Sequence, residues 1–392
     1  MRTLEGLTVV TFEHAIAAPF CTRQLADLGA RVIKVERPGA GDFARGYDKR
    51  TRGLASHFVW VNRSKESVTL DIKHPQGKEV MEALIAKADV VVQNLAPGAA
   101  ARLGIDWETL SVKHPRLILC DISGYGPDGP YRDKKAYDLL IQSEAGLVSI
   151  TGTEQDPAKS GASVADIAAG MYAYSNILAA LLRRGVTGKG SHIEVSMLEA
   201  MTEWTSYALY YTYDGAAPPV RAGASHAAIF PYGPFTAGDG VTVILAVQNE
   251  REWESFCRTV LQRPDVMTNA DYAGNLQRVN RRDELKQLVD GVFHDLTGEQ
   301  LVARLDEAGI ANARMNDMHG VWEHPQLKAR DRWTEIDSPV GKLRALFPPG
   351  MNREDDPRMD PVPALGEHTD AVLGELGFAA GDVAALRTAG AI

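Results

Sequence analysis

Over residues 7–197 the chain alternates between continuous apolar runs and segments of helical spacing, and this constrains the fold more than any other feature. Residues 7–12 form an apolar run of strand type, and residues 20–28 carry helical periodicity behind Pro19, which suits a first helical turn. Gly29 ends that helix and residues 31–35 read as the next strand, giving a βαβ unit with short connections. Further strands are predicted at 90–94, 117–123 and 192–197, with helices at 76–87 and 167–182 between them. Strands that are apolar throughout need cover on both faces, so the prediction is an α/β fold with a mostly parallel, doubly wound sheet. The first βα turn, residues 13–18, holds no G-x-G-x-x-G, so the topology carries no nicotinamide assignment.

At 392 residues the chain is long for one core. From about residue 212 its texture changes: Ala216-Ala217-Pro218-Pro219 and the loop 221–234 lead into a second unit, with a strand at 241–247, helices at 252–260, 281–294 and 299–307, and a last strand at 311–314. Residues 326–363 read as Pro-rich and irregular, followed by short helices at 369–376 and 380–387 that are expected to pack back on the first domain. The expected division is a large domain over 1–215, completed by 326–392, and a small α/β domain over 225–325.

A formal net charge of -9 argues against a nucleic-acid binder, which would carry a basic face, though not against a local basic pocket. No apolar run approaches the ~18 residues of a membrane span, and no signal peptide is evident. Cys21, Cys120 and Cys257 form neither a zinc pattern nor a disulfide framework, so a reducing cytoplasm is expected, with no metal.

Four segments leave predicted strands, where such folds place ligands. They contain Arg37 in Val35-Glu36-Arg37-Pro38; Leu70-Asp71-Ile72-Lys73; Asn94-Leu95-Ala96, then Arg102; and Ser123-Gly124-Tyr125-Gly126, then Lys135-Ala136-Tyr137-Asp138. Arg37, Lys73, Arg102 and Lys135 can converge on phosphates; each taken alone reads equally as a solvated surface charge. Asp166 stands at the mouth of the apolar helix 167–182. An acid there is ordinarily a cap, and it can also be a nucleophile that forms an acyl–enzyme bond. Its residue type and position leave both roles open.

Together with Asp166, the four segments in this order resemble the family III CoA-transferases, which include formyl-CoA transferase and carnitine CoA-transferases, with α-methylacyl-CoA racemase as a relative. The resemblance extends to the tail, Leu365-Gly366-Glu367-His368-Thr369-Asp370. It implies a Rossmann-like doubly wound large domain, a smaller α/β domain, and two chains interlocked as rings in a homodimer. It matches Asp166 to the nucleophile and Arg37 to an arginine at the CoA nucleotide. Leu70, Asp71, Ile72 and Lys73 match a strand beside the adenine, and Asn94, Leu95 and Ala96 a backbone contact segment. Arg102 matches a phosphate-binding arginine; Lys135, Ala136, Tyr137 and Asp138 match a further CoA-contacting stretch; Ala15 and Ile16 match the turn near the thioester. Ile16 lacks the side-chain donor that formyl-CoA transferase has there, and Gly223-Ala224-Ser225-His226 replaces that enzyme's glycine run. Racemases carry a histidine at Tyr137 and a glutamate near Gln248; Tyr137 and Gln248 are poor proton carriers, which favours transfer over racemisation.

The reaction implied is movement of CoA from an acyl-CoA to a carboxylic acid through an aspartyl anhydride and an aspartyl-CoA thioester. CoA is a substrate, and no resident cofactor is called for. The helix dipole is expected to keep Asp166 ionised, and the N–H groups beside it to stabilise oxyanions. An acyl-CoA isomerase and a non-catalytic CoA-binding subunit are the alternative classes. Residues 45–52, with Tyr47, Arg52 and three further cations, lie beyond the Arg37 strand; they suggest a short dicarboxylic acceptor such as mesaconate, itaconate or succinate, and read equally as an exposed basic loop. His14 and His226 are further candidate substrate contacts, and each reads equally as a structural loop histidine.

Overall fold

Six strands run parallel in one sheet: β1 (Thr8–Phe12), β2 (Arg31–Glu36), β3 (Lys65–Thr69), β4 (Val90–Gln93), β5 (Ile118–Ser123) and β6 (Ser191–Ser196), in the spatial order β3-β2-β1-β4-β5-β6. The computed structural model describes all 392 residues. Alternate residues of each strand face opposite sides, as the two-residue period requires. Val9, Val32, Val90, Val92 and Ile118 pack under the helices Ala17–Asp27 and Val164–Thr187. Val10, Ile33, Val91 and Leu119 pack under Pro75–Ala86 and the tail helices Thr369–Glu375 and Ala380–Thr388. Both faces are covered, which is why the central strands β1 and β4 read as near-continuous apolar runs.

β3 escaped the sequence reading because Lys65-Glu66-Ser67-Val68-Thr69 is mostly polar. Its lysine is nevertheless buried by ion pairing (below), and its glutamate bonds Arg31 on β2. The outer edge of β3 meets the tail signature. The Ser67 N–H donates to His368 Nδ1 at 3.2 Å, the His368 N–H returns to the Ser67 carbonyl, and the Thr69 N–H donates to Thr369 Oγ1. An edge strand is thereby closed against further pairing. Residues 326–363, expected to be irregular, contain an antiparallel hairpin, β10 (Trp333–Ile336) with β11 (Leu343–Leu346).

The helix Val164–Thr187 has 24 residues and is long and apolar enough, by length and composition alone, to cross a membrane. The short-run expectation above therefore needs correcting. The helix instead lies on the sheet, with Ala165, Ala168, Ala169, Ala173 and Ile177 in the core. Gly170 fixes its distance from the first helix, because a Cβ built there would come within 2.7 Å of the Ala17 carbonyl oxygen.

The chain divides into two compact units. The one just described comprises Met1–Leu147, Ser160–Tyr207 and Gln326–Ile392. The other comprises Val148–Lys159 and Ala208–Pro325, so it takes in a stretch assigned from sequence to the large domain. Its sheet is antiparallel, β7 (Tyr232–Thr236), β8 (Thr242–Ala246) and β9 (Ala311–Arg314), over a core built around Phe235, Phe256, Leu285 and Phe293.

Candidate active site

Every predicted segment of the first unit leaves the same edge of the sheet, because parallel strands bring all their C-terminal ends together. The order reverses between β1 and β4, and the turns after these two strands are bonded to each other. Asn94 Oδ1 accepts the His14 N–H and Asn94 Nδ2 donates to the His14 carbonyl, both at 2.9 Å. Ala15 adopts a left-handed conformation, φ +61°, unusual for a residue with a Cβ. Its N–H donates to Asp42 Oδ1 at 3.1 Å. No side chain caps the helix Ala17–Asp27, and the N–H groups of Ile16, Ala17 and Ala18 find no acceptor in the protein.

Beneath this turn lies a cluster that the sequence reading missed. Lys34 Nζ bridges Asp42 Oδ2 at 2.8 Å and Glu13 Oε1 at 3.3 Å, while Lys65 Nζ donates to Glu13 Oε1 at 2.7 Å. All four side chains are buried. Burial opposes ionisation of Glu13, but Lys34 and Lys65 outweigh it and hold its carboxyl at about 2. Lys34, between two acids, is raised despite burial, whereas Lys65, with one acid partner, is lowered by burial to about 8. A lysine inside the apolar run Val32-Ile33-Lys34-Val35 was the available signal, since such a charge needs a buried partner.

Asp166 is the third residue of the long helix, past the N-cap Ser163, and its carboxylate accepts no hydrogen bond from the protein. The capping role belongs to Asp138, whose Oδ1 accepts the N–H of Ala165 at 2.9 Å and of Asp166 at 3.3 Å. Two expectations are thereby corrected. The N–H groups beside Asp166 are occupied by Asp138, and the Asp166 carboxyl is pushed up to about 7, by burial first and then by the Asp138 charge. Asp166 and Gly170 lie one turn apart on the same helix face, and Gly170 abuts Ala17. The first turns of these two helices therefore pack against each other at Ala17 and Gly170.

Tyr47 joins this cluster. It is raised to about 12 by burial and by the charges of Asp42 and Asp166, with Tyr137 also interacting. His14 stacks on Phe43 at 5.4 Å, and Phe43 lies against Tyr47. The structure thus brings Asp166, Asp138, Tyr137, Tyr47 and the His14–Ile16 turn together. Ala136 packs its Cβ against Gly124, where any side chain would collide. Lys134 is paired with Glu144, while Lys135 stands exposed.

Arg37, Lys73, Arg102 and Lys135 are all exposed, and none forms an ion pair with an acid of the chain. Leu70, Asp71, Ile72 and Lys73 occupy the turn after β3 and not a strand: Leu70 is buried, and the Asp71 N–H donates to the Ala391 carbonyl. The Leu95 N–H donates to Gln93 Oε1, and Ala96 is exposed. Of the cations at 45–52, Arg45 is engaged bidentately by Glu36 and lies 3.7 Å over the Phe58 ring, so it is not free for a substrate. Arg52 is exposed and donates to the Lys342 carbonyl. His226 lies in the second unit, exposed, stacked on Tyr232, with Nδ1 accepting the Ala228 N–H. These contacts give it a local structural role.

The model of CoA-transferase family III matches residues 4–369. The chain belongs to CoA-transferase family III. This family III enzyme is 33% identical over 380 residues to the human succinyl-CoA:glutarate CoA-transferase, covering 96% of this chain and 86% of that protein. It is 31% identical to the formyl-CoA:oxalate CoA-transferase of Rhodopseudomonas palustris (strain BisA53), covering 100% of this chain and 97% of the other. Among solved structures, a CAIB/BAIF family protein from Brucella suis superposes with a TM-score of 0.84 at 33% identity, covering 96% of this chain and 99% of that one.

Proposed function

We propose that this family III enzyme moves CoA from an acyl-CoA to a short dicarboxylic acid, with Asp166 as the covalent carrier. The observation that carries the reading is the Asp166 carboxylate itself: half-buried and without a hydrogen-bond donor, on a helix that packs at Gly170 against the start of the first helix. A structural carboxylate would be paired. An Asp166 oxygen attacks the thioester carbon; the C–O bond forms, the C–S bond breaks, and CoA leaves as the thiolate. The thiolate attacks the aspartyl carbon of the resulting anhydride, forming the enzyme thioester and releasing the donor acid. The acceptor carboxylate then reverses both steps. Charge builds on the acyl oxygen when the acyl carbon is attacked and on the aspartyl oxygen when the thiolate attacks, and in this reading the N–H groups of Ile16, Ala17 and Ala18 serve as donors to the acyl oxygen.

CoA is held, in this reading, by Arg37, Lys73, Arg102 and Lys135 at its phosphates, with Leu70–Lys73, Asn94–Ala96 and Lys135–Asp138 along it in a Rossmann-like arrangement. The named relatives act on glutarate and oxalate, both dicarboxylates, which supports an acceptor of that class. Arg52, Lys49 and Arg50 remain exposed for the second carboxylate. The enzyme works as an interlocked homodimer in the cytoplasm, where its three free thiols suit a reducing medium. Incubation with acyl-CoA and hydroxylamine should tag the peptide containing Asp166, and Asp166→Ala should abolish turnover while keeping the fold. Appreciable transfer by that variant refutes the carrier assignment. A panel of acids offered with succinyl-CoA tests the acceptor, and exclusive use of a monocarboxylic acid refutes it.

A further inference from the structure

The peptide group between His14 and Ala15 is gripped from both sides. Its carbonyl accepts from Asn94 Nδ2 and its N–H donates to Asp42 Oδ1. The preceding N–H, that of His14, donates to Asn94 Oδ1. Rotation of this peptide sets φ of Ala15, which sits at +61°. An alanine leaves that region readily unless its surroundings determine it. The grip is anchored: Asp42 also accepts the Ala44 N–H and is tied through Lys34 and Glu13 to Lys65, all inside the core. Directly after Ala15 come the N–H groups of Ile16, Ala17 and Ala18, which have no acceptor.

We propose that Asn94 and Asp42 are positioning residues that hold Ala15 in the left-handed conformation, and so aim the first turn of the Ala17–Asp27 helix at the reacting acyl group. The role of that turn rests on the function proposed above. The Asn94 side chain is thereby committed to the backbone of His14, and the proposed contact of residues 94–96 with CoA falls to their backbone. Misplacing a pre-aligned donor set should slow the bound complex and leave nucleotide binding intact.

The test is a double-mutant cycle between Asn94→Ala and Ala15→Gly. Glycine occupies positive φ without steric penalty, so it relieves the need for a clamp. Asn94→Ala is expected to lower kcat by about tenfold or more, with KM for acyl-CoA changed by less than about threefold. In the Ala15→Gly background the same substitution should cost less than about threefold. Hydrogen exchange of the peptide spanning residues 13–18 should quicken with Asn94→Ala. Asn94→Asp, which keeps the shape and the acceptor, provides the same readings if the alanine variant does not fold. A rise in KM with kcat intact, equal losses in both backgrounds, or unchanged exchange overturns the clamp. If the wild type transfers no CoA, the parent reading fails, and the exchange measurement still decides whether Asn94 holds the turn.

Discussion

Replacing Asp166 by Asn should abolish transfer and make the protein more stable at alkaline pH. The Asp166 carboxyl is raised from an ordinary 3.8 to about 7 because burial and the Asp138 charge both disfavour the ionised form. A group whose folded pKa is raised contributes stability below its unfolded pKa and loses it as pH climbs through the folded value. At 1.36 kcal/mol per unit, a rise of about three units amounts to roughly 4 kcal/mol lost across that window, of which about 2.5 kcal/mol falls between about pH 5 and pH 8. Asparagine does not titrate, so the stability gap between Asp166→Asn and wild type should widen by about that amount over the same interval. Urea unfolding of both proteins at the two pH values measures it. The same ionisation should govern reactivity, with hydroxylamine trapping of the acyl-enzyme rising with pH through about 7. A pH-independent stability gap, or trapping already maximal at about pH 5, would refute the reasoning, because either outcome requires Asp166 to be ionised at its ordinary pKa.

Asp138→Asn keeps an oxygen to cap Ala165 and Asp166 but removes the charge, so the pH midpoint of trapping should move down; an unmoved midpoint leaves burial as the only cause. Arg37→Ala and Arg102→Ala should each raise KM for acyl-CoA about tenfold with little change in kcat, and normal KM in both excludes them from the CoA site. Gly170→Ala places a Cβ against the Ala17 carbonyl and should cost roughly 1–3 kcal/mol together with activity, measured by denaturation midpoint and kcat. His192 is raised above 6.5 because its bond to Asp121 outweighs burial, so its stabilisation is full below 6.5 and fades as pH rises through the higher folded value. His192→Gln should flatten that part of the curve of thermal midpoint against pH.

Local patterning was enough to read much of this protein. Apolar runs such as Val90-Val91-Val92 announce strands buried on both faces, and the helix behind Pro19 and the last strand of the second unit, Ala311–Arg314, follow from spacing and punctuation alone. The segments around Arg37, Lys73, Asn94 and Lys135, taken in order with Asp166, carried the resemblance to the family, and the parallel strands collect the four segments at one edge of the sheet. The polar β3 and the hairpin Trp333–Ile336/Leu343–Leu346 were not legible, since the partners that make them strands lie elsewhere in the chain. The same holds for the chemistry of the site. Sequence determined that an acid opens the long helix. Only tertiary structure decided that Asp138, 28 residues earlier, caps that helix and leaves the Asp166 carboxylate unpaired. It also decided that Arg45 is held by Glu36, and that Lys34 sits between two buried acids. Pairing and protonation depend on distances of a few ångströms between side chains that the sequence keeps far apart, and those distances exist only once the sheet has gathered its turns.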